Sequence, residues 1–292
     1  MVKLLKRSEK KSLIILEPCA GLGNRFQAIA SAYYLTKEID GDLIIIWKKE
    51  CACGISSKRL FQLEKGINVL QINAMGLKYN TLSYIFGVLL RKIFKMRVDE
   101  LIECESINNL YLYGKEEGIR AFCENKAIYI KSTNQFYDYS PALPHGIYSF
   151  ISPVPHIKKR VESIMGPFAN KRIVGIHIRR TDNLEAINYS TDRAFFSCML
   201  SEIKKDPKVM FYLASDDENV ITKYIKMFSN RIIVMENKNL DRAIQDGILD
   251  AYVELLCLSR CEKIIGSYGS SYSKLAAQIG NIELEIACVK EK

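Results

Sequence analysis

From Arg172 onward, short β-branched runs alternate with amphipathic stretches, and this alternation constrains the fold more than any other feature of the chain. Arg172–Ile178, Val209–Ala214, Arg231–Met235, Lys263–Ser267 and Leu284–Val289 have the length and composition of buried strands. Asp192–Lys205, Asp217–Phe228, Ala243–Ser259 and Ser271–Ile279 lie between them with helical spacing. In Ala243–Ser259 the apolar positions are Ile244, Ile248, Leu249, Val253, Leu256 and Leu258. Strands that alternate with helices imply a parallel sheet with right-handed crossovers. In such sheets ligands bind outside the carboxyl ends of the strands.

The first half repeats the pattern less clearly. Ser12–Glu17, Leu43–Lys48 and Ala127–Lys131 read as strands, with helices over Asn24–Lys37 and Leu82–Met96. Five of the seven prolines fall between Pro141 and Pro167. Proline lacks the amide proton and constrains its predecessor, so the Pro141–Pro155 stretch cannot be regular helix. It is read as a linker ending near residue 156. The expectation is therefore α/β, with two Rossmann-like domains, 1–155 and 156–292, facing a cleft. The length of 292 residues fits two domains of ordinary size.

Hydrophobic residues at 48 % and charged residues at 26 % are globular values. No apolar run is long enough to span a bilayer, and Met1–Lys11 lacks the apolar region of a secretory signal. Nine cysteines without such a signal suggest reduced thiols and a cytoplasmic protein. Cys51 and Cys53 have no second pair at zinc spacing, so no metal site is expected. The formal charge of +9 suits a phosphorylated ligand or an anionic membrane. No nucleic-acid signature accompanies it, and no nucleic-acid partner is expected.

Four loops at strand ends carry candidate chemistry. Cys19-Ala-Gly21-Leu-Gly23-Asn24-Arg25 follows a strand and opens a helix, where bare backbone and free amides suit an anion. A tight turn is the plain alternative. His177-Ile-Arg179-Arg180-Thr181-Asp182 runs off a buried strand. Paired guanidinium groups there suit diphosphate oxygens, each giving two hydrogen bonds. An arginine–Asp182 salt bridge explains one arginine better than two. His177, inside an apolar strand, reads as a satisfied core residue with no catalytic role. Ser215-Asp216-Asp217 offers carboxylates to a ribose or base edge, although one of the pair is better read as a helix cap. Gly266-Ser-Tyr-Gly-Ser270-Ser271 is a small-residue loop at a helix start, suited to phosphate or to an ordinary cap.

Taken in order, these pieces resemble the fucosyltransferase superfamily, which includes α1,2-, α1,6-, nodulation-factor and protein O-fucosyltransferases. The matching residues are Gly21-Leu-Gly-Asn24-Arg25, His177-Ile-Arg-Arg-Thr-Asp182, Ser215-Asp216-Asp217, and Leu258–Ser267 with Ser270-Ser271-Tyr-Ser273. The resemblance implies a GT-B-like fold and an inverting, metal-independent transfer of fucose from GDP-fucose to a glycan or lipid-linked glycan. It implies that Arg179 and Arg180 hold the diphosphate, with His177 and Asp182 in the same motif. Asp216 or Asp217 would contact the guanosine, and Ser270 and Ser271 the phosphate. Gly21, Gly23, Asn24 and Arg25 would line the donor side. Glu185 is the implied general base and Glu254 an implied nucleotide contact.

Asp40-Gly41-Asp42 matches the Asp-x-Asp of metal-dependent glycosyltransferases, but it precedes its strand and is read as a turn. Leu82–Arg97 is apolar and ends in basic residues. It is read as a packed amphipathic helix or as a peripheral contact with the inner face of a membrane. Two rival functions remain: the same fold with another nucleotide sugar, and a non-catalytic nucleotide-binding protein.

Overall fold

The computed structural model describes residues 11–73, 99–104, 118–138, 146–181, 183–241 and 243–288. The helix expected over Leu82–Met96, the basic end of that segment and Asp182 lie outside these residues. The chain divides into two compact units. The first comprises Met1–Pro144, Phe150–Ser152 and Arg242–Gln245, and the second His145–Ser149, Pro153–Asp241 and Asp246–Lys292.

The first unit contains β1 (Leu13–Pro18), α1 (Leu22–Glu38), β2 (Asp42–Lys49), β3 (Phe61–Leu63), β4 (Asn68–Asn73), β5 (Glu100–Cys104), α2 (Gly118–Cys123), β6 (Ala127–Ser132) and β7 (Ile151–Pro153). Its main sheet has the order β4-β2-β1-β6-β5, and every pairing is parallel. β1 is buried along its whole length, and its Leu13–Leu16 portion stands out in the sequence as an apolar run. β4 and β5 add to the strands expected from the sequence. They are edge strands: β4 is half-buried along its length, and in β5 Ile102 is buried while Leu101 is 64 % exposed, so no apolar run marks them. The described end of the proline-rich stretch, from residue 146, is more structured than a linker. β7 pairs with β3, the Phe150 carbonyl accepts from Glu64 N–H, and the Phe150 ring stacks on Tyr33 at 3.8 Å. Asp40 takes a left-handed φ of 48°, as the turn reading of Asp40–Asp42 requires.

The second unit contains α3 (Pro155–Met165), β8 (Ile173–Ile178), α4 (Leu184–Tyr189), α5 (Asp192–Lys205), β9 (Met210–Ser215), α6 (Glu218–Phe228), β10 (Ile232–Ile233), α7 (Gln245–Leu258), β11 (Lys263–Gly266), α8 (Ser271–Gly280) and β12 (Glu283–Ile286). Pro155 occupies the first turn of α3, where its missing N–H costs nothing. The sheet order is β10-β9-β8-β11-β12, all parallel. Counted from β8, this is the order 3-2-1-4-5 of a Rossmann-type sheet, and the order reverses between β8 and β11.

Period-2 alternation along β8 sorts its side chains between two faces. Val174, Ile176 and Ile178 pack with Phe195 and Met199 of α5 and with Val220 and Tyr224 of α6. Burying each of the larger members stabilises the unit by roughly 2 kcal/mol. Gly175 and His177 face the other way. A Cβ on Gly175 would lie 3.0 Å from Leu258 of α7, so glycine lets that helix close on the sheet. β10 is shorter than Arg231–Met235 because only Ile232 and Ile233 pair with β9 before the chain turns. α7 starts at Gln245 rather than Ala243. Ala243 and Ile244 belong to the first unit, where the Ala243 carbonyl occupies the place a Cβ on Gly54 would need. Ile244 is accordingly 42 % exposed instead of facing a helix core.

Candidate functional site

The switch point of the second sheet gathers most of the expected residues. The loop after β8 carries Arg179, Arg180 and Thr181, the loop after β9 carries Asp216, and the loop after β11 carries Ser267–Ser270. Short bonds stitch the three loops together. Arg179 N–H donates to Ser267 Oγ at 3.0 Å, Arg180 N–H to Asp216 Oδ1 at 2.8 Å, and Thr181 Oγ1 to Asp216 Oδ2 at 2.7 Å. Burial pushes the Asp216 carboxyl upward, but the Thr181 and Arg180 hydrogen bonds and the Arg179 charge outweigh it. Its pKa lies below the ordinary carboxylate value, and it stays ionised at neutral pH.

The two arginines part company. Arg180 turns inward: its Nη2 donates to the Ser190 carbonyl at 2.9 Å and to Asp192 at 3.0 Å, and its guanidinium lies 5.8 Å from the Phe195 ring centroid. Asp192 also takes Lys223 at 2.5 Å. Arg180 therefore anchors the loop from below. Arg179 Nη1 is 3.8 Å from Asp216, a looser pairing at the strand end.

His177 is buried and has its partners. Nδ1 lies 2.7 Å from Ser273 Oγ, and the ring packs on Tyr272 at 4.8 Å. This agrees with its reading as a core residue. Ser270 caps α8 by accepting from Ser273 N–H, and Asp217 caps α6 by accepting from Asn219 N–H at 2.8 Å. Asp217 is thus the capping member of its pair, and Asp216 the one bonded to the loop after β8. Ser271 opens α8. Glu185 is exposed in the first turn of α4, beside the serine loop. A Cβ on Gly269 would lie 3.9 Å from Glu185 Oε2.

Glu254 departs from expectation. It is buried and paired with Lys238 at 2.8 Å, and Lys238 also donates to the Ser215 carbonyl at 2.7 Å. The pair braces the end of β9 from beneath rather than facing solvent. Lys238 belongs to no motif, and nothing in the sequence singles it out. Burial pushes the Glu254 carboxyl up to about 7 despite the Lys238 charge. The folded chain therefore binds this proton more tightly than the unfolded chain, whose value is 4.5. Between about pH 4.5 and 7 the native state holds more protons, so the Glu254 contribution to stability falls as pH rises. The stability of the natural chain relative to Glu254→Gln should decline across that window, as denaturant midpoints at several pH values would show. A difference independent of pH would contradict this burial.

In the first unit the glycine loop also sits at a switch point, between the carboxyl ends of β1 and β6. Cys19 N–H donates to the Ser132 carbonyl at 2.8 Å, and Asn24 Nδ2 to the Thr133 carbonyl at 2.7 Å. Gly21 precedes the first turn of α1, and no atom lies within 4 Å of where its Cβ would be. The backbone there is open to a ligand. Gly23 is buried in the first turn. Arg25 corrects its expected role. It is fully buried, donating to the carbonyls of Ala20 and Lys48, each at 2.8 Å, and to Glu50 at 2.5 Å, with its guanidinium 4.8 Å from the Trp47 ring centroid. All its hydrogen-bonding directions point into the protein, so it offers no charge to a ligand.

Among the described residues no group of three His, Cys, Asp or Glu side chains is placed to hold a metal ion. No helix among them is long and apolar enough to cross a membrane.

Two parallel Rossmann-like sheets define a GT-B-like α/β fold, and solved structures share it. Fucosyltransferase NodZ from Bradyrhizobium aligns with a TM-score of 0.61 at 18 % identity, over 91 % of this chain and 93 % of that one. A point mutant of Arabidopsis thaliana FUT1 in complex with GDP aligns with a TM-score of 0.61 at 14 % identity, over 98 % of this chain and 72 % of that one. POFUT1 in complex with GDP aligns with a TM-score of 0.56 at 9 % identity, over 97 % and 100 %. No family model matches the sequence, and no curated protein matches it by sequence.

Proposed function

We propose that this chain is a glycosyltransferase of the fucosyltransferase superfamily, transferring fucose from GDP-fucose to a glycan with inversion and without a metal ion. The observation that carries the reading is the convergence of Arg179, Asp216 and the serine loop at one switch point. The fold supports it: solved structures that share it include an α-1,6-fucosyltransferase soaked with GDP-fucose and POFUT1 in complex with GDP.

Breaking the bond between the sugar and the diphosphate leaves the electron pair, and growing negative charge, on the departing nucleotide. Arg179 can meet that charge with two parallel hydrogen bonds. The amino terminus of the ten-residue α8, entered through Ser270 and Ser271, adds free amides and a partial positive charge. Such fixed donors supply the stabilisation that a metal would otherwise give. Arg180 keeps Arg179 and Asp216 in register through its inward contacts. Asp216 orients the nucleoside. Glu185 is the base in reach of the serine loop, taking the proton from the acceptor hydroxyl as its oxygen attacks the sugar carbon from the face opposite the diphosphate. In the first unit, the bare backbone at Gly21 offers a second ligand-facing position, in a loop that Asn24 ties to the Thr133 carbonyl.

Thermal-shift titration with GDP-fucose, GDP-mannose, GDP and UDP-sugars, with and without EDTA, tests the donor and the metal claim together. The expected result is stabilisation by the GDP ligands, greatest with GDP-fucose and unchanged by EDTA. Stabilisation by UDP-sugars alone would sink the fucose assignment, and loss of it in EDTA would sink the metal-free one. Release of GDP from GDP-fucose separates an enzyme from a passive binder.

A further inference from the structure

An aromatic pair beside the Arg179 loop has no part in the chemistry above. Tyr189, at the end of α4, and Tyr268, in the loop after β11, are 56 % and 42 % exposed. Their ring centroids lie 4.8 Å apart at an interplanar angle of 43°. The backbone beneath them is pinned. Tyr268 N–H donates to Oγ of the fully buried Ser190 at 2.8 Å, and Ser190 N–H donates to the Ala186 carbonyl at 3.0 Å. Gly269, at φ 64°, turns the loop against the start of α4 beside Glu185. Glu185 and Tyr189 are four residues apart on α4 and therefore share a face. Leu184, next to Glu185, is 75 % exposed. A rigid aromatic surface bordered by a carboxylate is thus held at the mouth of the switch point.

We infer that Tyr189 and Tyr268 form the platform on which a pyranose ring of the acceptor packs, with Glu185 at its edge to receive the hydroxyl proton. This rests on the glycosyl-transfer reading. A pyranose presents C–H groups on its face and hydroxyls at its rim. A tyrosine presents an apolar face and a polar tip, so the two match. Topology argues against a nucleobase as the occupant. Asp216, the nucleoside contact, follows β9 on one side of β8, whereas Tyr268 follows β11 on the other. Neighbouring strands are about 4.8 Å apart, so these two positions differ by roughly 10 Å across the sheet. A nucleotide whose diphosphate lies on Arg179 directs its base toward β9 and its sugar toward β11. The acceptor must meet the sugar end.

The test uses the full chain with Tyr189→Ala and Tyr268→Ala, each paired with its Phe counterpart. Two quantities are measured: GDP affinity by calorimetry, and saturation-transfer NMR with GDP present. The NMR probes are the methyl pyranosides of galactose, glucose, mannose and N-acetylglucosamine at millimolar concentration. The natural chain should bind at least one pyranoside. The alanine variants should weaken that binding by roughly tenfold, the phenylalanine variants should retain it, and GDP affinity should not change in Tyr189→Ala. A matching fall in GDP affinity would make the pair a nucleobase platform and overturn the inference. Pyranoside binding indifferent to the alanine changes, or no binding to any of the four, would overturn it too. Failure of the glycosyl-transfer reading looks different, because the natural chain would then release no GDP from GDP-fucose.

Discussion

Arg179→Ala is expected to lower fucosyl transfer by roughly a hundredfold to a thousandfold, the cost of removing one donor aimed at developing charge in a preorganised site. Its melting temperature should stay close to that of the natural chain. The reason lies in what holds the loop. Its backbone is fixed by Arg179 N–H on Ser267 and Arg180 N–H on Asp216, and neither bond uses the Arg179 side chain. Arg179→Lys should recover little, because an ammonium cannot reproduce the paired hydrogen bonds of a guanidinium. Arg180→Ala should behave differently. It strips the Ser190 carbonyl and Asp192 of a partner, so stability should fall by roughly 1–3 kcal/mol along with activity. Transfer assays and thermal melts on the three variants separate the roles. If Arg179→Ala kept near-normal transfer, the diphosphate assignment would be wrong.

This division of labour marks the limit of what the sequence shows. The parallel sheets were legible because buried strands such as Ile173–Ile178 are continuous apolar runs, and the helix Asp192–Lys205 appears with the bounds expected. The order of loops at the strand ends was legible for the same reason. Edge strands such as Asn68–Asn73 were not, because a half-buried strand carries no such run. Within the motifs, residue type showed which groups could bind an anion but not which way each side chain points. Arg179 and Arg180 are neighbours of one kind, yet successive residues leaving a strand diverge, and only one of them meets Asp192. Asp216 and Asp217 divide in the same way, one bonded to the loop after β8 and one capping α6. Lys238 carries no sequence signal because its partners, Ser215 and Glu254, are 23 and 16 residues away.

Arg25 is the clearest case of a motif residue whose work is internal, and its replacement carries the other large expected effect. Arg25→Ala should cost about 3–5 kcal/mol, the range for breaking a buried ion pair by removing one partner. It would orphan the carbonyls of Ala20 and Lys48 and the Glu50 carboxylate, and leave a void against Trp47. That is a large part of the 5–15 kcal/mol a typical protein has in hand, so the variant could be recovered largely unfolded. Glu50→Gln keeps the shape and weakens only one of the three contacts, and should cost roughly 1–2 kcal/mol. Both losses are read from denaturant midpoints. For folded Glu50→Gln, GDP affinity should match that of the natural chain. A ligand-binding role for Arg25 predicts the reverse pattern: normal stability in Arg25→Ala and lost GDP binding. The geometry favours the first outcome because Arg25 Nε holds the carbonyl of Ala20, a non-glycine residue at a φ of 65°. A left-handed conformation at an alanine persists only where its surroundings impose it. Arg25 thus shapes the turn that leaves Gly21 bare, acting on any ligand through the backbone rather than through its charge.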